Sequence, residues 1–297
     1  MVIKESFGDR VVNIVIYIIL TVFFLLVLYP LLYIIAASVS DPKYVQSGQM
    51  WLIPMGFTLE GYARVFVNPD VLNGFKNSLI YTGFGTLAQL VCTLTAAYAL
   101  SKKKLPGRRI FSFLILLTMY FQGGLIPTYL LYKNLHIINK VWVMVLPGLV
   151  GVYNLIIART FFATGVSPEL EEAAYIDGCS TTRSFISIVL PLAKPTVAVL
   201  ALYYIIAHWN AYFSAMIYLT NPKMYPLATV LQNILVRNQL SSSLLDLGTG
   251  ADIAAKVRMG NLIKYSVIVV SSIPLIMLYP FIQRFFVKGV MIGSIKG

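Results

Sequence analysis

Glu169, Glu171, Glu172 and Asp177 place four of the chain's eleven acidic residues within nine positions. Paired carboxylates are the raw material of acid–base catalysis. Here no histidine, cysteine cluster or metal-ligand spacing stands with them, and two glutamates adjacent on a helix point away from each other. An integral membrane enzyme built on Glu171, Glu172 and Asp177 therefore remains only as an alternative. The other chemistry-bearing residues are scattered. His136 and His208 stand alone, and Cys92 and Cys179 have no spacing that suits a metal, so neither a zinc site nor a disulfide is expected. "GTGADIAAK" (248 to 256) lacks the Gly-Lys-Ser/Thr ending of a phosphate loop. "GFGTLA" (83 to 88) fits a dinucleotide pattern by letters, but it lies inside an apolar run with no strand before it, where small residues serve close helix packing.

The elements that carry these residues belong in lipid. Mean hydropathy is +0.79. Charged residues make up 11% of the chain, against about 25% in a soluble domain. Six apolar stretches, 11–38, 78–100, 110–132, 141–163, 196–218 and 263–287, are each long enough to cross about 30 Å of hydrocarbon as a helix. They predict an all-α, polytopic membrane protein with six transmembrane helices in one membrane domain spanning 1–297. The first stretch is too long for a signal-peptide core and is read as a span. The formal charge of +12 does not point to nucleic acid, because five basic residues (Lys102, Lys103, Lys104, Arg108, Arg109) fall in the nine-residue link 101–109. A short cytoplasmic loop concentrates them in this way, which places both termini and the segment 164–195 in the cytoplasm.

None of the eleven acids lies inside a proposed span. Proton-coupled carriers and intramembrane aspartyl proteases depend on buried ionisable groups, so both classes are disfavoured. His208, without an acidic neighbour in sequence, is read as a packing or cavity-lining residue. A transporter with neither an ion relay nor a nucleotide-binding loop draws its energy from a partner.

The acidic segment itself predicts helix, bend, helix. Ser167 and Pro168 suit a helix start, with the hydroxyl free to cap. Glu169, Glu171 and Glu172 sit near the positive end of the dipole, and Gly178 can take the left-handed conformation that ends a helix. Ser180, Thr181 or Thr182 can cap a second helix running through Phe185, Ile186 and Ile188 to Pro191. Leu170, Ala173, Ala174 and Asp177 share one face by i, i+3, i+4 spacing. Its small alanines permit close approach of another surface; on spacing alone, an ordinary solvated loop whose acids keep it out of lipid is the alternative.

The spacing Glu172-Ala173-Ala174, three residues, Gly178, nine residues, Ile188, one residue, Leu190-Pro191 resembles the EAA loop (167–191) of binding-protein-dependent ABC importers. "FTLEGYARVF" (57 to 66), "NSL" (77 to 79), "AAYALSKKKLPGRR" (96 to 109), "GGLIPTYLL" (123 to 131), "HWNAYFSAMIYL" (208 to 219) and "VKGVMIGSIKG" (287 to 297) resemble the MalG-like carbohydrate permeases, in their LplC and YtcP branch. Cys179 stands where alanine is usual, and Ser294-Ile295 where Ala-Val is. The resemblance implies the type I importer permease fold, a bacterial plasma-membrane location and no enzymatic activity in this chain. ATP and Mg would be bound by two partner ATPase subunits. It further implies a second permease subunit in a heterodimer, an extracytoplasmic solute-binding protein facing 41–70 and 220–262, and a carbohydrate cargo, an oligosaccharide by branch; a permease for peptides or polyamines is the alternative within transport. Glu172, Ala173, Ala174, Asp177, Gly178, Ile188, Leu190 and Pro191 would then form the ATPase-coupling element, and Gly293, Lys296 and Gly297 a C-terminal ATPase contact. For a sugar, whose rings suit aromatic faces and whose hydroxyls suit amides, Asn154, Tyr204, Trp209, Asn210 and Tyr212 are the path candidates.

Overall fold

The computed structural model describes residues 6–245 and 251–294, and among these it is helical without a strand. The helices are α1 (Phe7–Ser38), α2 (Pro42–Gln46), α3 (Glu60–Val67), α4 (Pro69–Ser101), α5 (Arg108–Tyr120), α6 (Leu125–Asn134), α7 (Trp142–Val145), α8 (Val152–Thr164), α9 (Pro168–Ile176), α10 (Thr181–Ser184), α11 (Leu190–Leu192), α12 (Lys194–Trp209), α13 (Tyr212–Tyr218), α14 (Leu227–Leu245) and α15 (Ala251–Ser294). The chain divides into two compact units: Met1–Asn68 with Asn233–Ser272, and Pro69–Gln232 with Ile273–Gly297.

In the first unit α1 is apolar on every side, and of its residues only Ala36, Ala37 and Ser38 are buried. A helix without a polar face is stable only against lipid or protein. Its C-terminal end is anchored by a small core of Ala36, Ala37 and Met50, flanked by Tyr33, Tyr44, Val45 and Tyr265. The Ser38 and Tyr62 hydroxyls meet at 2.7 Å, and the Ser266 hydroxyl donates to the Ser38 carbonyl at 3.3 Å.

In the second unit α4 packs along both α8 and α12. Its buried residues recur every three or four positions, and several are polar: Ser78, Thr82, Thr86, Gln89 and Thr93. Between membrane helices Ser78, Gln89 and Thr93 act as hydrogen-bonding glue where the hydrophobic effect is weak, whereas the Thr82 and Thr86 hydroxyls have no hydrogen-bond partner among the described residues. Gln89 donates to the Gly148 carbonyl at 3.0 Å and lies 3.1 Å from His208 Nε2, while the Thr93 and Tyr204 hydroxyls meet at 2.6 Å. His208 is thus buried against α4. Thr93→Val strands the Tyr204 hydroxyl in the core, and thermal melts of the purified protein are expected to show a loss of about 1–3 kcal/mol.

Among the described residues, three helices are long and apolar enough to cross a membrane: Phe7–Ser38, Pro69–Ser101 and Ile263–Phe281. Two bent helix pairs accompany them, of which only the first coincides with one of the remaining apolar stretches. Arg108–Tyr120 meets Leu125–Asn134 at 116°, and Thr181–Leu192 meets Lys194–Trp209 at 83°. The stretch 110–132 is therefore two helices, with Gly124 at φ +78° in the break. The stretch 196–218 is α12 and α13, separated at Asn210 and Ala211. The stretch 141–163 consists of α7, a loop through Pro147 and Gly148, and the thirteen-residue α8. Proline and a glycine at φ +68° end the helical ladder there.

Candidate functional site

Pro168 occupies the first turn of α9, as its fixed φ favours. The Ser167 hydroxyl does not cap the backbone; it donates to the Glu169 carboxylate at 3.2 Å. At the other end Gly178 has φ +74°. Its N–H donates to the Tyr175 carbonyl at 3.0 Å and the Cys179 N–H to the Ala174 carbonyl at 2.9 Å. That bond pair is the Schellman termination, which needs a residue without a Cβ penalty at this point. Ser180 then caps α10, accepting from the Arg183 N–H at 3.4 Å.

Beyond α10 the helix widens into a π-helical turn, Phe185–Val189, before α11. Pro191 explains the widening. It has no N–H and its ring crowds the carbonyl four residues back, so the i→i+4 ladder cannot continue. Leu190 packs partly on the inner core of the second unit, formed by Leu94, Tyr98, Phe162, Phe185, Val189 and their neighbours, whereas Pro191 is exposed.

The result is a crook enclosing an open crevice of about 410 Å³, lined by the Ala173, Ala174, Asp177, Gly178 and Ile188 of the sequence reading together with Leu170 and Arg183. The face Leu170, Ala173, Ala174, Asp177 is therefore continuous. Glu172 is exposed and lies outside this lining. Two residues missed in sequence project beside it: Tyr175 is 79% and Ile176 82% exposed. On a helix that carries three glutamates they form an apolar knob of the kind that marks an interaction site. Their one available signal was position, since apolar letters are unremarkable in this composition.

Of the tail residues, Gly293 lies in the last turn of α15, and Lys296 and Gly297 fall outside the described residues. The five path candidates divide. Tyr204 and Trp209 are buried, Tyr204 against Thr93 and Trp209 with its ring edge-on to Phe75 at 5.9 Å. Asn154 is half-buried near Gly151 and the Tyr204 hydroxyl. Asn210 and Tyr212, at the break between α12 and α13, are exposed, and the Asn210 amide donates to the Ile206 carbonyl at 3.0 Å. No group of three or more His, Cys, Asp or Glu that could hold a metal occurs among the described residues.

Comparison with known proteins places this architecture. The polygalacturonan/rhamnogalacturonan transport system permease protein YtcP of Bacillus subtilis (strain 168) is 36% identical over 290 residues, covering 97% of this chain and 99% of the relative. Protein LplC of the same strain is 38% identical over 268 residues, covering 90% and 89%. The crystal structure of a bacterial ABC transporter involved in the import of the acidic polysaccharide alginate matches with a TM-score of 0.84 and 32% identity, covering 95% of this chain and 99% of that one. The family described as binding-protein-dependent transport system inner membrane component matches residues 109–292, the acidic crook included. This chain belongs to that family of ABC importer permeases.

Proposed function

We propose that this chain is one of two permease subunits of an ATP-driven importer, moving an oligosaccharide delivered by an extracytoplasmic solute-binding protein across the bacterial plasma membrane. Its partners are a second, different permease subunit and two cytoplasmic ATPase subunits, which hold the ATP and Mg. Both termini lie on the cytoplasmic side. The named relatives act on polygalacturonan, rhamnogalacturonan and alginate, which supports a glycan cargo.

The observation that carries the reading is the crook, with the exposed Glu172, Tyr175 and Ile176 on α9 and a left-handed Gly178 fixing its corner. Such an element fits a cleft on an ATPase: Ala173 and Ala174 allow close approach, Glu172 and Asp177 supply charge, Ile188 lines the crevice, and Leu190 roots the second arm with Pro191 beside it. ATPase closure would move α9 and, with it, alternate access between the two sides. The tail residues Gly293, Lys296 and Gly297 supply a second ATPase contact. Asn210 and Tyr212 are the path residues available to a sugar without repacking.

Copurification and uptake test this. The tagged subunit is expected to bring down an ATPase pair and a second permease, and the complex in proteoliposomes with its binding protein is expected to import labelled trigalacturonate or maltotriose only with ATP. Import of a peptide or polyamine but no glycan overturns the cargo. Activity of the isolated chain without partners overturns the transport role.

A further inference from the structure

The cytoplasmic end of α4 reaches the crook through one basic side chain. Lys102, the residue after α4, forms an ion pair with Glu171 of α9. Its Nζ also lies 4.1 Å from the centroid of the Tyr98 ring, one turn back on α4. Tyr98 is buried among aromatic rings, its centroid 4.6 Å from that of Phe185 on the second arm of the crook and 5.9 Å from that of Phe162 on α8. Lys103 and Lys104 are exposed, so the loop's general task of facing the cytoplasm leaves the partial burial of Lys102 unexplained.

α9 has nine residues and hangs between two short links, Gly165–Ser167 on one side and the Gly178 corner on the other. Val166 in the first link is seated in the inner core and Ala174 of α9 is buried, so a displacement of α9 bears on what lies behind it. The Lys102 pair adds a lateral tie to α4. A partly exposed ion pair adds little to stability, whereas one that fixes the position of a moving helix changes what the motion does.

We infer that Lys102 is a positioning residue for energy coupling: its bond to Glu171 and its seat on Tyr98 tie α9 to α4, so that displacement of the crook is passed to the helix at the centre of the second unit. The inference rests on the proposed docking of α9 to an ATPase.

The test uses the reconstituted complex with its binding protein, and labelled trigalacturonate or maltotriose, whichever the parent complex imports. Lys102→Glu is expected to lower the amount imported per ATP hydrolysed by at least about fivefold, the lower end of ordinary coupling effects, while hydrolysis continues. The exchanged pair Lys102→Glu with Glu171→Lys is expected to recover to within about twofold of the parent, the signature of a direct interaction in a double-mutant cycle. Lys102→Met, which keeps the stem over Tyr98 without the charge, falls between and decides the matter if the charge reversal fails to assemble. A parent-like import ratio in Lys102→Met or Lys102→Glu, or an exchanged pair as poor as either single variant, overturns the tie. Glu172→Lys separates the two readings: normal import in that variant removes the docking itself, whereas its failure beside a parent-like Lys102→Glu removes the tie alone.

Discussion

Gly178→Pro is expected to abolish solute-dependent ATP hydrolysis and import by the assembled complex, while the subunit still inserts into the membrane. Gly178 holds φ +74°, and its N–H bonds to the Tyr175 carbonyl. Proline fixes φ near −65° and has no N–H, so it can satisfy neither requirement. The Schellman termination is lost, and Tyr175 and Ile176 no longer present at the same angle to the second arm. Nothing lies within 4 Å of a Cβ placed on Gly178, so the damage is conformational and confined to the crook. Gly178→Ala, which meets only the left-handed penalty of about 1–2 kcal/mol, should fall between. Loss of coupling by about 5–150-fold corresponds to the usual range of linkage between sites. Assays of uptake and hydrolysis, with membrane insertion followed by protease protection, check the outcome; parent-like uptake in Gly178→Pro would end the case for the crook as a coupling element.

Gly85→Ala should destabilise the protein by about 1–3 kcal/mol, the usual cost of overpacking. A Cβ on Gly85 would stand 2.4 Å from both Cε1 and Nε2 of His208. That ring cannot step aside freely, because it is buried and sits 3.1 Å from the Gln89 amide oxygen. Either the bond breaks or α12 moves off α4. The two sites should therefore couple: in His208→Ala, adding Gly85→Ala should cost little or nothing further, since the obstructing ring is gone. Thermal unfolding of the four purified proteins reads this cycle, and strictly additive losses would mean that the close approach is relaxed in solution.

How much of this was legible in the sequence depended on which physical signal each element carries. α1 and α4 are long and apolar, so hydropathy located them to within a few residues at their C-terminal ends; α4 begins earlier, at Pro69, because Asp70, Asn73 and Lys76 are tolerated where it emerges from lipid. The crook was readable because it lies between the apolar stretches: there Pro168, Gly178 and Ser180 keep their ordinary capping meaning. The bends inside apolar stretches were not. Gly123 and Gly124, and Pro147 with Gly148, are turn residues, but hydropathy averages over them. The break at Asn210 and Ala211 has no proline or glycine to announce it. Tyr204 and Trp209 are buried against Thr93 and Phe75, and in sequence an aromatic residue in an apolar run reads the same whether it faces a cavity or a neighbouring helix.

A helix of 32 residues such as α1 rises about 48 Å, well beyond the roughly 30 Å of hydrocarbon in an ordinary bilayer. The surplus has to be taken up by leaning or by emerging into the headgroups, at fractions of a kcal/mol for every ångström of mismatch. Acyl-chain length in the host membrane thereby becomes a variable in how this subunit stands among its neighbours, and thin and thick bilayers set the inclination of its first helix differently.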